Sequence, residues 1–334
     1  MKSNNHISKI WDIMEKEKTV GLVKRLYSSD APFRVYGTFQ YPESYFGLAF
    51  SFNNDIYIDL SSFYDLNELK IALFPDNSFA NSNLLIIQLA DPENRDIFAS
   101  LCENLVQAIL NLETEPIVIR TVVNQLEKWK TLFQRSNSKG LTQTEQQGLY
   151  GELHFMHKIL SRNPNSLFNT LQLWVGSEKA LKDFQGSTWA LEVKTTSTNN
   201  PQKITINNER QLDESLWENL YLYHLSIEIS KQNGQSLCQK IVLIRELLKN
   251  DSPALSLFNS KLFETGYSDK HSHFYNKRFY QIRKENYYKV EQHFPRIKEN
   301  EICSGVCDVR YSIILANCNE FLIPENRVFY TIES

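Results

Sequence analysis

Apolar residues recur along this chain with two periods, and the places where one period yields to the other outline its elements. Residues 7–27 carry helical spacing that breaks at Ser28-Ser29-Asp30-Ala31-Pro32. Three strand-like runs follow at 33–39, 45–52 and 56–60, with Asn53-Asn54-Asp55 as the turn between the last two. Residues 84–89 predict a fourth strand and 97–112 a helix. A second helix, 117–133, sets Leu126, Trp129 and Phe133 at core spacing. This pattern predicts an N-terminal α+β domain over 1–115. A connecting helix and linker over 116–140 follow, ending in the polar stretch from Arg135 to Gly140.

Beyond the linker, Leu149, Leu153, Met156 and Leu160 form an apolar stripe in a helix that ends near Ser161-Arg162-Asn163-Pro164. Residues 181–184 and 190–196 read as two strands around the turn Gln185-Gly186-Ser187-Thr188-Trp189. Further strands are expected at 204–206 and 221–229, with a turn at Asn233-Gly234 and helices at 237–248 and 253–263. Residues 307–315 and 327–331 are expected to close the sheet. Strands and helices thus intermix over 141–334, and the whole chain is expected to be of the α+β / α/β class.

The hairpin carries the chemistry. Centred on Ser187 and Thr188, it pairs Asp183 with Glu192. Alternation then sets Glu192 and Lys194 on one face, while Leu191 and Val193 point into a core. Two carboxylates facing each other across a strand pair repel unless positive charge lies between them. A divalent cation with oxygen ligands is the natural occupant, and Lys194 is within reach of whatever it activates. This is the arrangement of a metal-dependent phosphodiesterase site. Acidic residues on the solvent face of a hairpin are common, and so is a solvated helix glutamate such as Glu152. The order of the three elements separates the readings: a helix glutamate, then an aspartate, a turn, and Glu-x-Lys.

That order, with the wording of the motifs, resembles the PD-(D/E)XK nuclease core. Gly148-Leu-Tyr-Gly-Glu-Leu, Trp174-Val-Gly-Ser, Lys182-Asp-Phe and Leu191-Glu-Val-Lys-Thr-Thr are similar to those of a group of bacterial PD-(D/E)XK proteins that tends to occur in restriction and anti-phage defence clusters. The motifs cover residues 147–212. A looser likeness extends to Phe294-Pro295-Arg296 and Val309-Arg310-Tyr311. The proline that names the motif is replaced by Lys182. The resemblance implies a restriction-endonuclease-like core over 141–334, a mixed β-sheet flanked by helices, after the N-terminal α+β domain. Catalytic Glu152, Asp183, Glu192 and Lys194 are implied with it. Mg²⁺ or Mn²⁺ would lie on Asp183, Glu192 and the Val193 carbonyl, with Glu152 as an outer or second-metal ligand or as the group that holds Lys194 in place. Gln211 would orient Lys194 or contact a phosphate, against the simpler role of a helix-start residue. Thr195 and Thr196 would touch the nucleic-acid backbone, or act merely as strand formers.

Composition sets outer limits. The chain has 334 residues, with 42% hydrophobic and 22% charged positions, which suits two globular domains. A net charge of −3 argues against an architectural DNA binder. Local charge decides phosphate binding, and 270–298 is the basic stretch. It interleaves Lys277, Arg278, Arg283, Lys284, Lys289, Arg296 and Lys298 with Phe274, Tyr275, Phe279, Tyr280, Tyr287 and Tyr288. Phosphate neutralisation with base stacking, or a twisted hairpin with buried aromatics and solvated cations, explains it equally. Five cysteines argue against a disulfide framework, and Cys303, Cys307 and Cys318 lack zinc-site spacing. His154 and His157 read as helix-surface histidines. No signal peptide or membrane span is evident, so a cytoplasmic address is expected.

The leading expectation is a metal-dependent DNA endonuclease in restriction-modification or antiviral defence, acting on double-stranded DNA. Cutting both strands calls for two sites, hence a homodimer. The alternatives are a nucleic-acid-binding or assembly subunit of a defence complex that needs a partner protein or has no turnover, and a metal-dependent enzyme acting on RNA or a nucleotide.

Overall fold

A computed structural model describes residues 7–29, 33–63, 68–136, 140–178, 180–198, 201–307 and 309–333. The chain divides into two units, Met1–Ser138 and Lys139–Ser334. In the first, α1 (Ile7–Glu17) buries Ile7, Ile10, Trp11 and Met14 along one face. It stops far short of residue 27. Lys18 and Gly21 take positive φ values of 48° and 95°, which no continuing helix allows, and the chain turns into β1 (Gly21–Leu26). Strands β2 (Arg34–Tyr41), β3 (Tyr45–Asn53), β4 (Leu69–Pro75) and β5 (Ser82–Leu89) complete an antiparallel sheet of order β1-β2-β3-β5-β4. The strand expected at 56–60 does not form. Ile58 and Leu60 are buried from an irregular segment, and β4 pairs with β5 instead. Helices α2 (Arg95–Ile109) and α3 (Glu115–Ser136) finish this unit, with Leu126 and Trp129 fully buried. The linker positions 137–139 lie outside the described residues.

The second unit opens with α4 (Gln143–Arg162). Thr142 caps it reciprocally with Glu145, satisfying two amides that the first turn would leave unpaired. Its buried face is Leu149, Tyr150, Leu153, Phe155, Met156, Ile159 and Leu160. After α5 (Leu167–Gln172) come β6 (Phe184–Gln185), β7 (Trp189–Thr196), β8 (Lys203–Ile206) and β9 (Asn219–Ser230). Then follow α6 (Leu237–Leu248), α7 (Ser252–Glu264), α8 (Ser272–Tyr275), β10 (Phe279–Lys289), β11 (Tyr311–Ile314), β12 (Leu322–Ile323) and α9 (Glu325–Glu333). The main sheet runs β12-β10-β9-β7-β6 and is mixed, with β7 parallel to β9 and the other pairs antiparallel.

Three expectations change here. Residues 307–315 contribute β11, which pairs with β8 in a separate two-stranded sheet. Residues 327–331 belong to α9, because Pro324 and Glu325 start a helix and the short apolar run Val328-Phe329-Tyr330 suits either element. The basic segment is not a hairpin: it holds α8 and the long strand β10, and Tyr275, Tyr280, Tyr287 and Tyr288 are core residues.

The sheet has a core on each face. Leu191 and Val193 of β7 join the α4, α6 and α7 side, whereas Ala190 joins Leu220, Leu222, Ile204, Ile206 and Ile313 on the other. A charged network ties α4 to β10 and α9. Glu285 accepts from Lys158 Nζ at 2.6 Å and from the Tyr223 hydroxyl at 2.9 Å, with His154 Nε2 at 3.3 Å. Lys158 also reaches Glu325 at 2.6 Å. His154 is therefore an enclosed network member rather than a surface histidine. Although burial opposes it, the His154 and Lys158 contacts hold the Glu285 carboxyl at about 2, below its ordinary 4.5. A depressed carboxylate stabilises the fold fully above 4.5 and loses that contribution as pH falls through about 2. Glu285→Gln should therefore lower the urea stability at pH 7 by about 2 kcal/mol, and the difference from wild type should shrink below pH 4. Urea titrations at pH 7 and pH 3 measure it.

Candidate active site

The hairpin register places the two acids. Phe184 pairs with Leu191 and Gln185 with Ala190, while the Gly186 amide donates to the Trp189 carbonyl at 2.9 Å. One step further in the same register, Asp183 faces Glu192. Strand β6 is only two residues long, so Asp183 stands just past its end, where the Val175 and Gly176 amides hold its carbonyl at 2.9 and 3.0 Å. Its Oδ2 accepts from the Val193 amide at 2.7 Å.

Glu192 and Lys194 share the face opposite Leu191 and Val193, as alternation requires. That face is not open to solvent: Glu192 is 2% exposed. Lys194 Nζ donates to Glu192 Oε1 at 2.7 Å and to Gln211 Oε1 at 3.2 Å. Gln211 Oε1 also accepts from the Asn207 amide at 2.9 Å, so this side chain is fixed from two directions. It sits in the 3-10 turn Glu209–Leu212, and of its predicted roles the structure shows the contact with Lys194. Glu192 Oε2 is buried with no hydrogen-bond partner.

Glu152 arrives from α4, and a glycine permits it. A Cβ on Gly151 would stand 1.9 Å from Thr195 Oγ1, 3.2 Å from Thr195 Cβ and 3.3 Å from Val193 Cγ1. The helix therefore rests on β7 at a distance no other residue allows, and the next residue, Glu152, reaches the acids at the sheet edge. A Cβ on Gly176 would meet Asp183 Oδ1 at 2.8 Å and Glu152 Oε2 at 3.3 Å, so both carboxylates border the same backbone point. Trp174, fully buried, donates its indole N–H to Glu152 Oε2 at 2.8 Å. Gly151→Ala should cost about 1–3 kcal/mol through overpacking. Thr195→Ala, by vacating the nearest atom, should recover part of that loss in the double variant. Urea midpoints of the single and double variants check this.

The electrostatics follow from burial and crowding. Burial first, then Glu192 and Glu152, push the Asp183 carboxyl well above the usual range against Lys194 and the Val193 amide. Burial also raises Glu152 to about 7, with the Trp174 bond opposing and Glu192 adding to it. For Lys194, burial works against the charged form, but Glu192 and Asp183 outweigh it and raise the ammonium. It remains a proton donor at neutral pH. Lys182, at the position of the missing proline, is 3% exposed and drawn down to about 8 chiefly by burial.

Of the residues expected at the site, Glu152, Asp183, Glu192, Val193, Lys194 and Gln211 are brought together. Thr195 is turned away: its hydroxyl is buried under Gly151 and its carbonyl accepts from Gln147 Nε2 at 2.7 Å, so it packs α4 rather than reaching a phosphate. Arg283 is the extra residue of a bulge between Ile282 and Lys284, and its guanidinium donates to the Ile227 carbonyl and to the Ser197 carbonyl at 2.7 Å. Arg278 bonds Gln143, and Lys277 is exposed over the Phe274 ring. Lys284 is exposed and lies in register with Ser226, itself paired with Thr196, on the face that bears Glu192 and Lys194. No hydrogen bond or ion pair among the described residues links these four cations to the carboxylates. Trp174 and Lys182 are neighbours of the acids that residue chemistry alone does not single out. Both stood inside the quoted motifs, which was the available signal.

Among the described residues, no three His, Cys, Asp or Glu side chains are already gathered as a metal-binding group. The chemistry of the donors nevertheless fits a hard divalent cation: Glu192 adds to the raised proton affinity of both Asp183 and Glu152, and its own buried Oε2 has no partner. No helix among the described residues is long and apolar enough to cross a membrane.

A helix acid, a strand-end acid and a Glu-x-Lys strand on a mixed sheet define a restriction-endonuclease-like α+β protein. The chain belongs to the family described as "Putative PD-(D/E)XK family member (DUF4420)", which matches residues 7–316. No curated protein and no solved structure matches it.

Proposed function

We propose that this protein is a PD-(D/E)XK DNA endonuclease that hydrolyses phosphodiester bonds with Mg²⁺ or Mn²⁺, in a restriction or phage-defence role. The observation that carries the reading is the buried, unpartnered Glu192 Oε2 among carboxylates whose protons are held abnormally tightly. Asp183 and Glu192, with the Val193 carbonyl, would hold the cation, and Glu152 would complete its surroundings. When bound, the cation supplies Lewis acidity to a phosphoryl oxygen and lowers the pKa of a coordinated water. Lys194 is a fixed, protonated donor. It orients the attacking water and offsets charge gathering on the phosphorus centre, and it does not serve as the base. Trp174 keeps Glu152 aimed at the cluster.

Double-stranded DNA is the proposed substrate. Lys284 is the cation placed on the face of the site, and Lys277 and Arg278 would extend the phosphate track. A homodimer would supply the second active site, and a partner protein from the same defence system would regulate cutting. A cytoplasmic location belongs to this reading.

Purified protein is incubated with supercoiled and linear DNA, with Mg²⁺ or Mn²⁺ and then with EDTA, beside Lys194→Ala. Metal-dependent nicking or cutting that the variant lacks is the expected result. DNA binding without cleavage by either protein would favour a binding or partner-activated subunit. Cleavage of RNA in preference to DNA would move the substrate class, and equal cutting by the variant would overturn the mechanism.

A further inference from the structure

The residue that replaces the motif's proline is engaged in a way the site has not yet accounted for. Lys182 is buried, and its ammonium donates to three carbonyls of one turn: Arg210 at 2.5 Å, Gln211 at 2.7 Å and Asp213 at 3.2 Å. An ammonium has three N–H donors on a compact head, so it can meet three converging carbonyls where a planar guanidinium cannot. The turn is held at other points too. The Asn208 side chain accepts from the Arg210 amide at 2.8 Å, Leu212 is fully buried, and Glu209 Oε2 accepts from the Val309 amide at 3.0 Å. From this turn the Gln211 side chain reaches the site and accepts from Lys194 Nζ. Lys182 is also the chain neighbour of Asp183. One dipeptide thus carries the strand-end acid and, through backbone carbonyls, the support of the site lysine.

We propose that Lys182 is a positioning residue: by clamping the 209–213 turn it sets Gln211, and through Gln211 it sets Lys194. This rests on reading the site as a nuclease, but the mechanical link is independent of turnover. The lysine at this position then replaces the motif's proline with a different device, a charged side chain fixing a neighbouring turn.

The test uses the full chain in four forms: wild type, Lys182→Met, Gln211→Ala and the double variant. Two readouts are taken, competitive amine labelling of Lys194 followed by mass spectrometry, and metal-dependent DNA cleavage. Lys194 should label several-fold faster than in wild type in both single variants, and no faster still in the double. Turnover should fall about 10–100-fold in Lys182→Met, with the KM for DNA little changed and no further loss in the double variant. If Lys182→Met fails to fold, Lys182→Gln keeps two donors for the same carbonyls and should give intermediate values. Unchanged labelling, or losses that multiply in the double variant, would overturn the proposal. Wild-type protein that cuts nothing while the labelling pattern holds would defeat the nuclease reading and leave the link standing.

Discussion

Lys194→Ala should reduce metal-dependent cleavage by about 10²–10³-fold or more, the scale seen when a preorganised transition-state donor is removed. The ammonium is held at 2.7 Å from Glu192 and 3.2 Å from Gln211, so it enters the reaction with little reorganisation. Its loss also acts on the resting protein. Lys194 opposes the upward shift of both Asp183 and Glu152, and it is the partner of Glu192 Oε1. Without it, three carboxylates face one another with less compensation, so the metal-free variant should be less stable than wild type at pH 8. The destabilisation should diminish at pH 4, where Asp183 and Glu152 hold protons. Thermal melts at both pH values with EDTA, run beside single-turnover cleavage, check the two halves of the prediction.

Asp183→Asn should move activity and stability in opposite directions. It removes a proposed metal ligand, so cleavage should fall below detection. In the metal-free protein it also removes one of the crowded charges and keeps an oxygen that can accept the Val193 amide. The sign follows from linkage. The folded Asp183 carboxyl lies well above its ordinary 3.8, so its contribution to stability is intact below 3.8 and is lost as pH rises towards the folded value. An asparagine has no such loss. The variant should be more stable than wild type at pH 7 in EDTA, by about 1–3 kcal/mol, and no more stable at pH 3.5. Added Mn²⁺ should raise the wild-type melting temperature, by about 2.7 kcal/mol of stabilisation at a hundredfold excess over Kd, and leave the variant's unchanged. Equal melting with and without Mn²⁺ in the wild type would count against the metal site. Because Lys194→Ala and Asp183→Asn should both cut cleavage sharply but shift metal-free stability in opposite senses, misfolding would not account for the pair.

Much of the Lys139–Ser334 unit is legible from local pattern. The turn Gln185–Trp189 determines a hairpin register, and a register in turn determines which residues oppose each other, so Asp183 and Glu192 were paired by arithmetic alone. The stripe from Leu149 to Leu160 located α4, and alternation separated Glu192 and Lys194 from Leu191 and Val193. Short, two-sided or irregular segments were less legible. β1 follows α1 after a reversal set by two positive φ values, and neither Lys18 nor Gly21 signals that reversal through periodicity. In 56–60 Ile58 and Leu60 are buried from a loop, and in 327–331 Val328 and Phe329 are buried from a helix, because so short an apolar run fits several elements.

Sequence by itself determined the acids, the lysine, their order and the face each occupies, since these depend on local periodicity and turn length. Tertiary structure alone decided the rest. It set α4 on β7 at the Gly151 contact so that Glu152 reaches the sheet edge, and it brought Trp174 to that acid. It turned Thr195 inward and engaged Arg283 with backbone carbonyls. It also placed a turn from residues 209–213 between Lys182 and Lys194. These contacts join residues far apart in the chain, and which of them form is settled by packing volume and by the requirement that buried polar groups find partners.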